Sequence, residues 1–259
     1  MDLFCQYMYN SNSSFLPIFV SNPPGPAILI WSCEDITKIS GITVVESIEY
    51  SLSPTEYARI YDILKHFEMC NIPNLYIKYP MNMEYLIING TNYDIHAGAH
   101  LISEKFGLPL ATSFFTNVKP VNNLSKVTDS FHTWSRSTFD GIKVKKQDLD
   151  MVVLSEKDNR ISCLFETKRS AAKKVGHWTP YPNDKNNYLQ LMAVSDMLGT
   201  PFFTVHNDHP NTDTPLRNDS LVDVFSYKNN SGMSYDEYVN STNRLILSCE
   251  KILKNLLNR

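Results

Sequence analysis

Two acidic residues and a lysine stand at the open end of a predicted β-hairpin. Asp150 directly precedes the apolar run 151–154, and Glu166 and Lys168 directly follow the apolar run 161–165. The polar segment between the two runs has the composition of a turn. Side chains alternate faces along a strand, so Glu166 and Lys168 point to the same side. We therefore expect strand pairing to bring Asp150 beside both of them.

This combination of groups suits metal-assisted hydrolysis of a phosphodiester. Two carboxylates that are held close together repel each other unless a positive group lies between them. A hard divalent cation such as Mg²⁺ fits there, because it takes one or two protein carboxylates and completes its coordination with water. The lysine could orient or help to deprotonate the attacking water, or it could neutralise charge that develops on a phosphate.

The pattern resembles that of the PD-(D/E)xK nuclease superfamily, in which an Asp leads one strand and (D/E)-x-K ends the next. The matching residues are Asp150 and Glu166-Thr-Lys168, and Leu149 stands where the name-giving proline would be. The resemblance covers about residues 130–206. It implies a restriction-endonuclease-like fold, an endonuclease or exonuclease activity that depends on Mg²⁺ or Mn²⁺, and a nucleic-acid substrate, with DNA favoured over RNA. It also implies that Asp150 and Glu166 bind the metal and that Lys168 is catalytic.

Three further residues are candidates for accessory roles. Asp148 is expected on the same strand face as Asp150. Glu104, on a predicted helix, is a candidate for an additional acid before the motif. Some exonuclease-like members of the family carry Gln-x-x-x-Tyr on the helix that follows the motif. Here Gln190 matches the glutamine, but Val194 takes the place of the tyrosine.

Nucleic-acid binding has to depend on a local basic patch, because the net charge of the whole chain is −3. The densest basic zone brackets the acidic pair, where phosphates would approach a metal ion. A solvated surface is the alternative interpretation of such a zone. Its residues are Lys143, Lys145, Lys146, Arg169, Lys173 and Lys174. A lysine at a strand end, such as Lys168, is likewise expected to be solvated and to contribute little to stability.

The elements around the hairpin have clear local signals. Ser53 with Glu56 forms a capping box that predicts a helix start, and Asn89-Gly90 predicts a tight hairpin turn. A helix is predicted to follow the motif and to end at Gly199, before a buried strand at 202–205. The resulting strand–strand–helix–strand order matches the remainder of the family core.

Two further patterns lie outside this core. His96, His100 and Glu104 recur at four-residue steps, which admits a transition-metal site, although a solvated or capping role is favoured. Ser234 and Glu237 form another capping box, and the apolar stripe after it predicts a long C-terminal helix.

The sequence as a whole predicts an α/β protein with a restriction-endonuclease-like core, in which helices flank a mixed central sheet. The chain has 259 residues, of which 42% are hydrophobic, enough for a sizeable core. Residues 120–259 are assigned to the nuclease core. Residues 1–119 are assigned to an N-terminal α/β extension of unknown role, either a separate segment or part of the same domain. No internal repeat is evident in the sequence.

The remaining features predict an intracellular protein that is not secreted and does not contact a membrane. The five cysteines are scattered without C-x-x-C spacing, and the N-terminus lacks the pattern of a signal peptide. A homodimer through the C-terminal helix is an open alternative to a monomer. Two other functions also remain open, namely a catalytically inactive nucleic-acid-binding module on the same fold and an intracellular interaction protein.

Overall fold

The structure is a computed structural model that describes residues 3–11, 15–17, 26–112, 114, 130–170, 172–209 and 215–257. Its contacts divide the chain into two compact units. The N-terminal unit consists of residues 19–148, and the C-terminal unit consists of residues 149–259 together with residues 1–18. The division therefore falls after Asp148, whereas the sequence placed a boundary between residues 119 and 120.

Helices and strands alternate through both units. In chain order the elements are α1 (Leu3–Ser11), β1 (Phe15–Pro17), β2 (Ala27–Cys33), β3 (Ile39–Ser47), α2 (Pro54–Met69), β4 (Asn74–Tyr79), β5 (Tyr85–Ile88), β6 (Thr91–Asp94), α3 (Ile95–Phe106), α4 (Ser130–Thr138), β7 (Val144–Leu149), β8 (Met151–Leu154), β9 (Ile161–Arg169), α5 (Lys185–Leu198), β10 (Phe202–Asn207), β11 (Leu221–Tyr227), α6 (Tyr235–Tyr238), β12 (Arg244–Ser248) and α7 (Cys249–Leu257). Short 3-10 turns precede α5 (Pro182–Asp184) and β12 (Ser241–Asn243).

The sheet of the N-terminal unit has the strand order β6-β5-β4-β3-β2-β7. Strands β3 and β4 are parallel and are connected by α2, while the β2–β3, β4–β5 and β5–β6 pairs are antiparallel. Apolar side chains from the sheet and from α3 and α4 form its core, among them Trp31, Ile77, Phe106 and Phe131. This mixed sheet with helices is an α/β architecture.

The sheet of the C-terminal unit has the order β1-β8-β9-β10-β11-β12. Strands β9 and β10 are parallel and are connected by α5, and the other pairs are antiparallel. One sheet face packs against α1 and α7, burying Phe4, Met151, Phe165, Val205 and Ile252 in one core. Since neighbouring residues of a strand point to opposite faces, Glu166 and Lys168 belong to the other face.

The predicted α/β class is thus confirmed, since both sheets are mixed and are flanked by helices. Most of the local signals in the sequence are confirmed as well. Ser53 and Glu56 form the reciprocal hydrogen bonds of a capping box at the start of α2. Asn89 and Gly90 connect β5 to β6 with positive φ angles of 49° and 84°. Gly199 ends α5 in the left-handed conformation, with a φ of 67°.

The prediction of one long C-terminal helix is wrong. Ser234 and Glu237 do form a capping box, but α6 ends after a single turn at Tyr238. The chain then enters β12, which pairs with β11, before α7 begins at Cys249. The run Leu245-Ile-Leu is apolar enough for either element, and pairing with the exposed edge of β11 favours the strand.

Candidate active site

The β8–β9 hairpin brings the three predicted catalytic residues to one end of the C-terminal sheet. Met151 pairs with Phe165, and extending this antiparallel register by one residue places Asp150 opposite Glu166. Asp150 Oδ2 accepts hydrogen bonds from the Thr167 backbone N–H at 2.6 Å and from the Thr167 hydroxyl at 3.0 Å. The Asp150 carboxylate is therefore fixed to the residue that separates Glu166 from Lys168.

Lys168 bridges two carboxylates. Its Nζ lies 2.8 Å from Glu166 Oε1 and 3.2 Å from Asp184 Oδ2. The Glu166 side chain is 4% exposed and the Lys168 side chain 22%, so the ion pair is largely removed from water. The expectation of a solvated Lys168 is therefore wrong, because the crossover to α5 covers the strand end and supplies Asp184 as a second partner.

The surroundings of Lys168 keep its ammonium group protonated. Burial by itself would lower the pKa of Lys168, but the negative charges of Glu166 and Asp184 outweigh this effect and raise the pKa above its ordinary value. A protonated lysine cannot accept a proton from water. Of the roles considered for it, the geometry favours orienting or stabilising negative charge over deprotonating water.

Aromatic side chains cover the same sheet face. Lys168 Nζ lies 5.9 Å from the centre of the Tyr188 ring, which is fully buried on the first turn of α5. Tyr188 in turn contacts the rings of Tyr235 and Tyr238 at centroid distances of 6.2 and 6.0 Å. Burial, followed by the charges of Glu166 and Asp184, raises the pKa of the Tyr188 hydroxyl, so this group stays neutral.

A second buried polar group lies on the strand next to Lys168. His206 on β10 is the register partner of Lys168 and is fully buried. Its Nδ1 lies 3.0 Å from Asp223 Oδ2, and its ring stacks on Trp178 at a centroid distance of 4.6 Å. Asp223 Oδ1 also accepts a hydrogen bond from the Gly176 backbone N–H at 2.7 Å. The strand predicted at residues 202–205 thus extends through His206 to Asn207.

The accessory residues predicted from the sequence are distributed over both units. Asp148 is half-buried on β7, and Glu104 is exposed on α3, so both belong to the N-terminal unit. Gln190 is buried on α5, two residues beyond Tyr188, and side chains at that spacing point in different directions from a helix. His96 and His100 on α3 are exposed and contact the Phe114 ring at 5.1 and 5.8 Å.

The predicted basic zone is divided between the two units. Lys143, Lys145 and Lys146 belong to the N-terminal unit, where Lys143 lies 3.9 Å from Glu34. The other three residues belong to the C-terminal unit and are all exposed, namely Arg169, Lys173 and Lys174. Lys174 makes a surface ion pair with Asp208 at 3.6 Å and remains 71% exposed.

The carboxylates of Asp150 and Glu166 have the donor chemistry that Mg²⁺ and Mn²⁺ prefer. The extended register of the hairpin places Asp150 opposite Glu166, and the described bonds of Asp150 to Thr167 and of Glu166 to Lys168 use the Oδ2 and Oε1 atoms. Across the described residues, no group of three or more His, Cys, Asp or Glu side chains is arranged to hold a metal ion. A metal ion bound here would therefore have two protein carboxylates as ligands and would take its remaining ligands from water.

Asp184 and Tyr188 are the site residues that the sequence did not reveal. Asp184 is the N-cap residue of α5, but its side chain makes no capping bond and pairs with Lys168 instead. Tyr188 covers Lys168 with its ring. Its position on the first turn of the helix that follows the motif was the available signal.

No protein-family model, curated protein or solved structure matches the chain. In the part of the chain that the structure describes, no helix is both long enough and apolar enough to cross a membrane.

Proposed function

We propose that this protein is a divalent-metal-dependent nuclease of the PD-(D/E)xK type, with a restriction-endonuclease-like core in its C-terminal unit. The observation that carries the proposal is the contact of Lys168 Nζ with Glu166 Oε1 at 2.8 Å, on a strand end where Thr167 fixes the carboxylate of Asp150. The β8–β9–α5–β10 order of elements supports it.

Each residue has a defined task in this proposal. Asp150 and Glu166 would hold Mg²⁺ or Mn²⁺, and the ion would lower the pKa of water and neutralise charge on the scissile phosphate. The Lys168 ammonium, held in place by Glu166 and Asp184, stabilises the negative charge that develops on the phosphate oxygens. Tyr188 covers the Lys168 side chain with an apolar ring, and this shielding from water strengthens the electrostatic interactions at the site.

The substrate class is tested by incubating the purified chain with plasmid DNA, linear single-stranded DNA and single-stranded RNA, each with Mg²⁺, Mn²⁺ or EDTA. We expect cleavage of DNA in both metal arms and none with EDTA. Binding of DNA without cleavage in any arm would favour the inactive binding module. Neither binding nor cleavage would favour the interaction protein.

Divalent metal is expected to stabilise the wild-type fold. Bringing Asp150 and Glu166 to one strand end has an electrostatic cost, which a cation bound only by the native state relieves. At a metal concentration about 100 times the dissociation constant, the free energy of unfolding should rise by about 2.7 kcal/mol. Melting curves with and without Mn²⁺ measure this rise.

The matched controls for that experiment are Glu166→Gln, which should abolish the Mn²⁺ response, and Glu250→Gln, which should retain it. Glu250 is also a carboxylate paired with a lysine, 2.7 Å from Lys254 on α7, but its side chain is 47% exposed. An equal Mn²⁺ response in wild type and Glu166→Gln would mean that the metal binds elsewhere.

The exposed basic residues of the C-terminal unit are expected to carry affinity for nucleic acid rather than catalysis. Replacing Lys173 and Lys174 with Ala should weaken binding to all sequences alike and reduce the salt slope by about one unit for each lost phosphate contact. Catalysis at saturating substrate should change less. Fluorescence anisotropy with labelled DNA at several salt concentrations measures the slope.

The control for this pair is the double variant Lys251→Ala and Lys254→Ala, which removes two exposed lysines from α7. It should leave both affinity and slope near the wild-type values. If both pairs of substitutions reduce affinity equally, binding follows net charge and the Lys173–Lys174 segment is not a specific interface.

A further inference from the structure

The two units have the same sheet topology, although the sequence shows no repeat. In the C-terminal unit the strand order is β1-β8-β9-β10-β11-β12. The edge strand β1 is followed by the antiparallel hairpin β8–β9, by β10, which is parallel to β9 and follows a crossover helix, and by the antiparallel strands β11 and β12. In the N-terminal unit, the order β7-β2-β3-β4-β5-β6 has the same succession, with α2 as its crossover helix. Each strand of one unit therefore has a counterpart in the other.

The edge strands show how the two copies are connected. A helix precedes each of them, α1 before β1 and α4 before β7. The α1–β1 segment comes before β2 in the chain but belongs to the C-terminal unit, and β7 comes before β8 but belongs to the sheet of the N-terminal unit. Two tandem copies that have exchanged their first helix and strand would produce this arrangement, as in a domain swap within one chain.

The strand registers identify Glu46 as the counterpart of Glu166. In the C-terminal hairpin, Glu166 follows Phe165, the partner of the first residue of β8. In the N-terminal hairpin, Glu46 follows Val45, the partner of the first residue of β2. Both glutamates are buried, and each is followed by a β-hydroxyl residue, Thr167 or Ser47.

The neighbours of the two glutamates also correspond. Lys78 Nζ lies 3.0 Å from Glu46 Oε1, as Lys168 Nζ lies 2.8 Å from Glu166 Oε1. Lys78 stands on β4 as the register partner of Glu46, so the same ammonium contact is made from the adjacent strand. The fourth residue of each crossover helix is a tyrosine near the lysine: Tyr57 at 4.4 Å from Lys78 and Tyr188 at 5.9 Å from Lys168.

The N-terminal cluster differs from the C-terminal one in its second acid. The residue opposite Glu46 in the extended register is Pro26, which stands where the C-terminal unit has Asp150. Glu46 Oε1 instead accepts a hydrogen bond from the Tyr76 hydroxyl, whose pKa is raised by burial and by the Glu46 charge. Glu46 Oε2 is buried and has no hydrogen-bond partner among the described residues.

From these correspondences we infer that the N-terminal unit carries a second, degenerate copy of the active site, centred on Glu46, Lys78 and Tyr57. Its glutamate charge is compensated by Lys78 and Tyr76 in place of a divalent cation, so this copy neither binds Mg²⁺ or Mn²⁺ nor hydrolyses a phosphodiester. The inference rests on the function proposed for the C-terminal site. It gives the chain one hydrolytic centre and one vestigial centre that lacks the carboxylate of Asp150.

The test introduces a carboxylate at position 26 in the 259-residue chain, with the C-terminal site disabled by Glu166→Gln. Melting temperature is measured with and without Mn²⁺. We expect no Mn²⁺ response in Glu166→Gln, a rise on Mn²⁺ addition once Pro26→Asp is added, and loss of that rise when Glu46→Gln is added as well. Pro26→Asn is the control, because it matches the aspartate in size without its charge. A folded Pro26→Asp chain that does not respond to Mn²⁺, or that still responds with Glu46→Gln, would overturn the inference.

A second measurement does not depend on Pro26→Asp folding. In the otherwise wild-type chain, the double variant Glu46→Gln and Lys78→Met should keep its Mn²⁺ response and cleave DNA within about twofold of the wild-type rate, even if it melts lower. A loss of either property in a folded chain would contradict a vestigial centre. The Mn²⁺ response of the wild-type chain distinguishes a failure of the proposed function from a failure of this inference. If the wild-type melting temperature does not rise with Mn²⁺, the metal site proposed for the C-terminal unit is contradicted, and the inference about the N-terminal unit is not.

Discussion

Asp150→Asn and Glu166→Gln should each reduce DNA cleavage to the background rate while the fold is retained. Each substitution keeps the size of the side chain but removes one of the two negative charges that would hold the metal ion. Losing that ion removes several kcal/mol of transition-state stabilisation, which corresponds to at least about a thousandfold in rate. The measurement is cleavage of plasmid DNA in Mg²⁺ and in Mn²⁺.

The structure explains why these two variants should fold. An asparagine at position 150 keeps a carbonyl oxygen that can accept the Thr167 backbone N–H, and a glutamine at position 166 can still accept a hydrogen bond from Lys168. Glu250→Gln is again the matched control and should cleave like wild type. Full activity of either site variant, at a melting temperature close to that of wild type, would refute the assignment of the carboxylates.

Lys168→Met should lower the single-turnover cleavage rate by about a hundredfold or more, the scale for losing one preorganised group that stabilises charge. It should also destabilise the fold, by about 3 kcal/mol, because it leaves the buried carboxylate of Glu166 without its ion-pair partner. The sequence alone predicted almost no effect on stability, and the burial of this ion pair reverses that prediction.

Two companion variants separate the catalytic effect of Lys168 from its structural effect. Lys168→Met combined with Glu166→Gln should regain much of the lost stability, because the buried negative charge at position 166 is removed, but it should not regain cleavage. Lys254→Met removes a lysine that is 67% exposed and should change neither property. If Lys168→Met cuts at the wild-type rate with enzyme in excess, Lys168 has only a structural role.

The raised pKa of Lys168 determines the pH range in which its contribution to folding stability changes. The pKa of Lys168 is higher in the folded state than in the unfolded state. Such a lysine contributes its full stabilisation at pH values below its unfolded-state pKa, and this contribution is lost as the pH rises through its folded-state pKa. Between pH 6 and about pH 9 the ammonium therefore remains charged. The stability difference between wild type and Lys168→Met, measured by denaturant melts, should be constant over this range and shrink only at strongly alkaline pH.

The hairpin that carries the site was predictable because its signals are local. Apolar runs, a polar turn and strand alternation were sufficient to place Asp150 beside Glu166 and Lys168, and the register of Met151 with Phe165 agrees with that placement. The capping box of α2, the Gly199 end of α5 and the turn at Asn89-Gly90 depend on a few adjacent residues in the same way. Such features are encoded within a short window of sequence.

The features that were missed depend on contacts between distant segments. Pairing of Phe15 with Val153 joins the first residues to the C-terminal sheet, and nothing near Phe15 in the sequence specifies that partner. Asp184 reaches Lys168 only because of the path that the loop before α5 takes. The repeated topology escaped detection because the two copies share strand order and a few polar positions rather than sequence.

The most direct test of the proposed nuclease is single-turnover cleavage of plasmid DNA by the wild-type chain, with Mn²⁺ and with EDTA, beside Glu166→Gln. The enzyme is held in excess so that product release does not limit the observed rate. We expect rapid cleavage by wild type in Mn²⁺, none in EDTA, and none above background by Glu166→Gln in Mn²⁺. Wild-type cleavage that persists in EDTA, or a Glu166→Gln rate equal to that of wild type, would contradict the proposed function, as would a wild-type chain that binds DNA but leaves it intact in Mn²⁺.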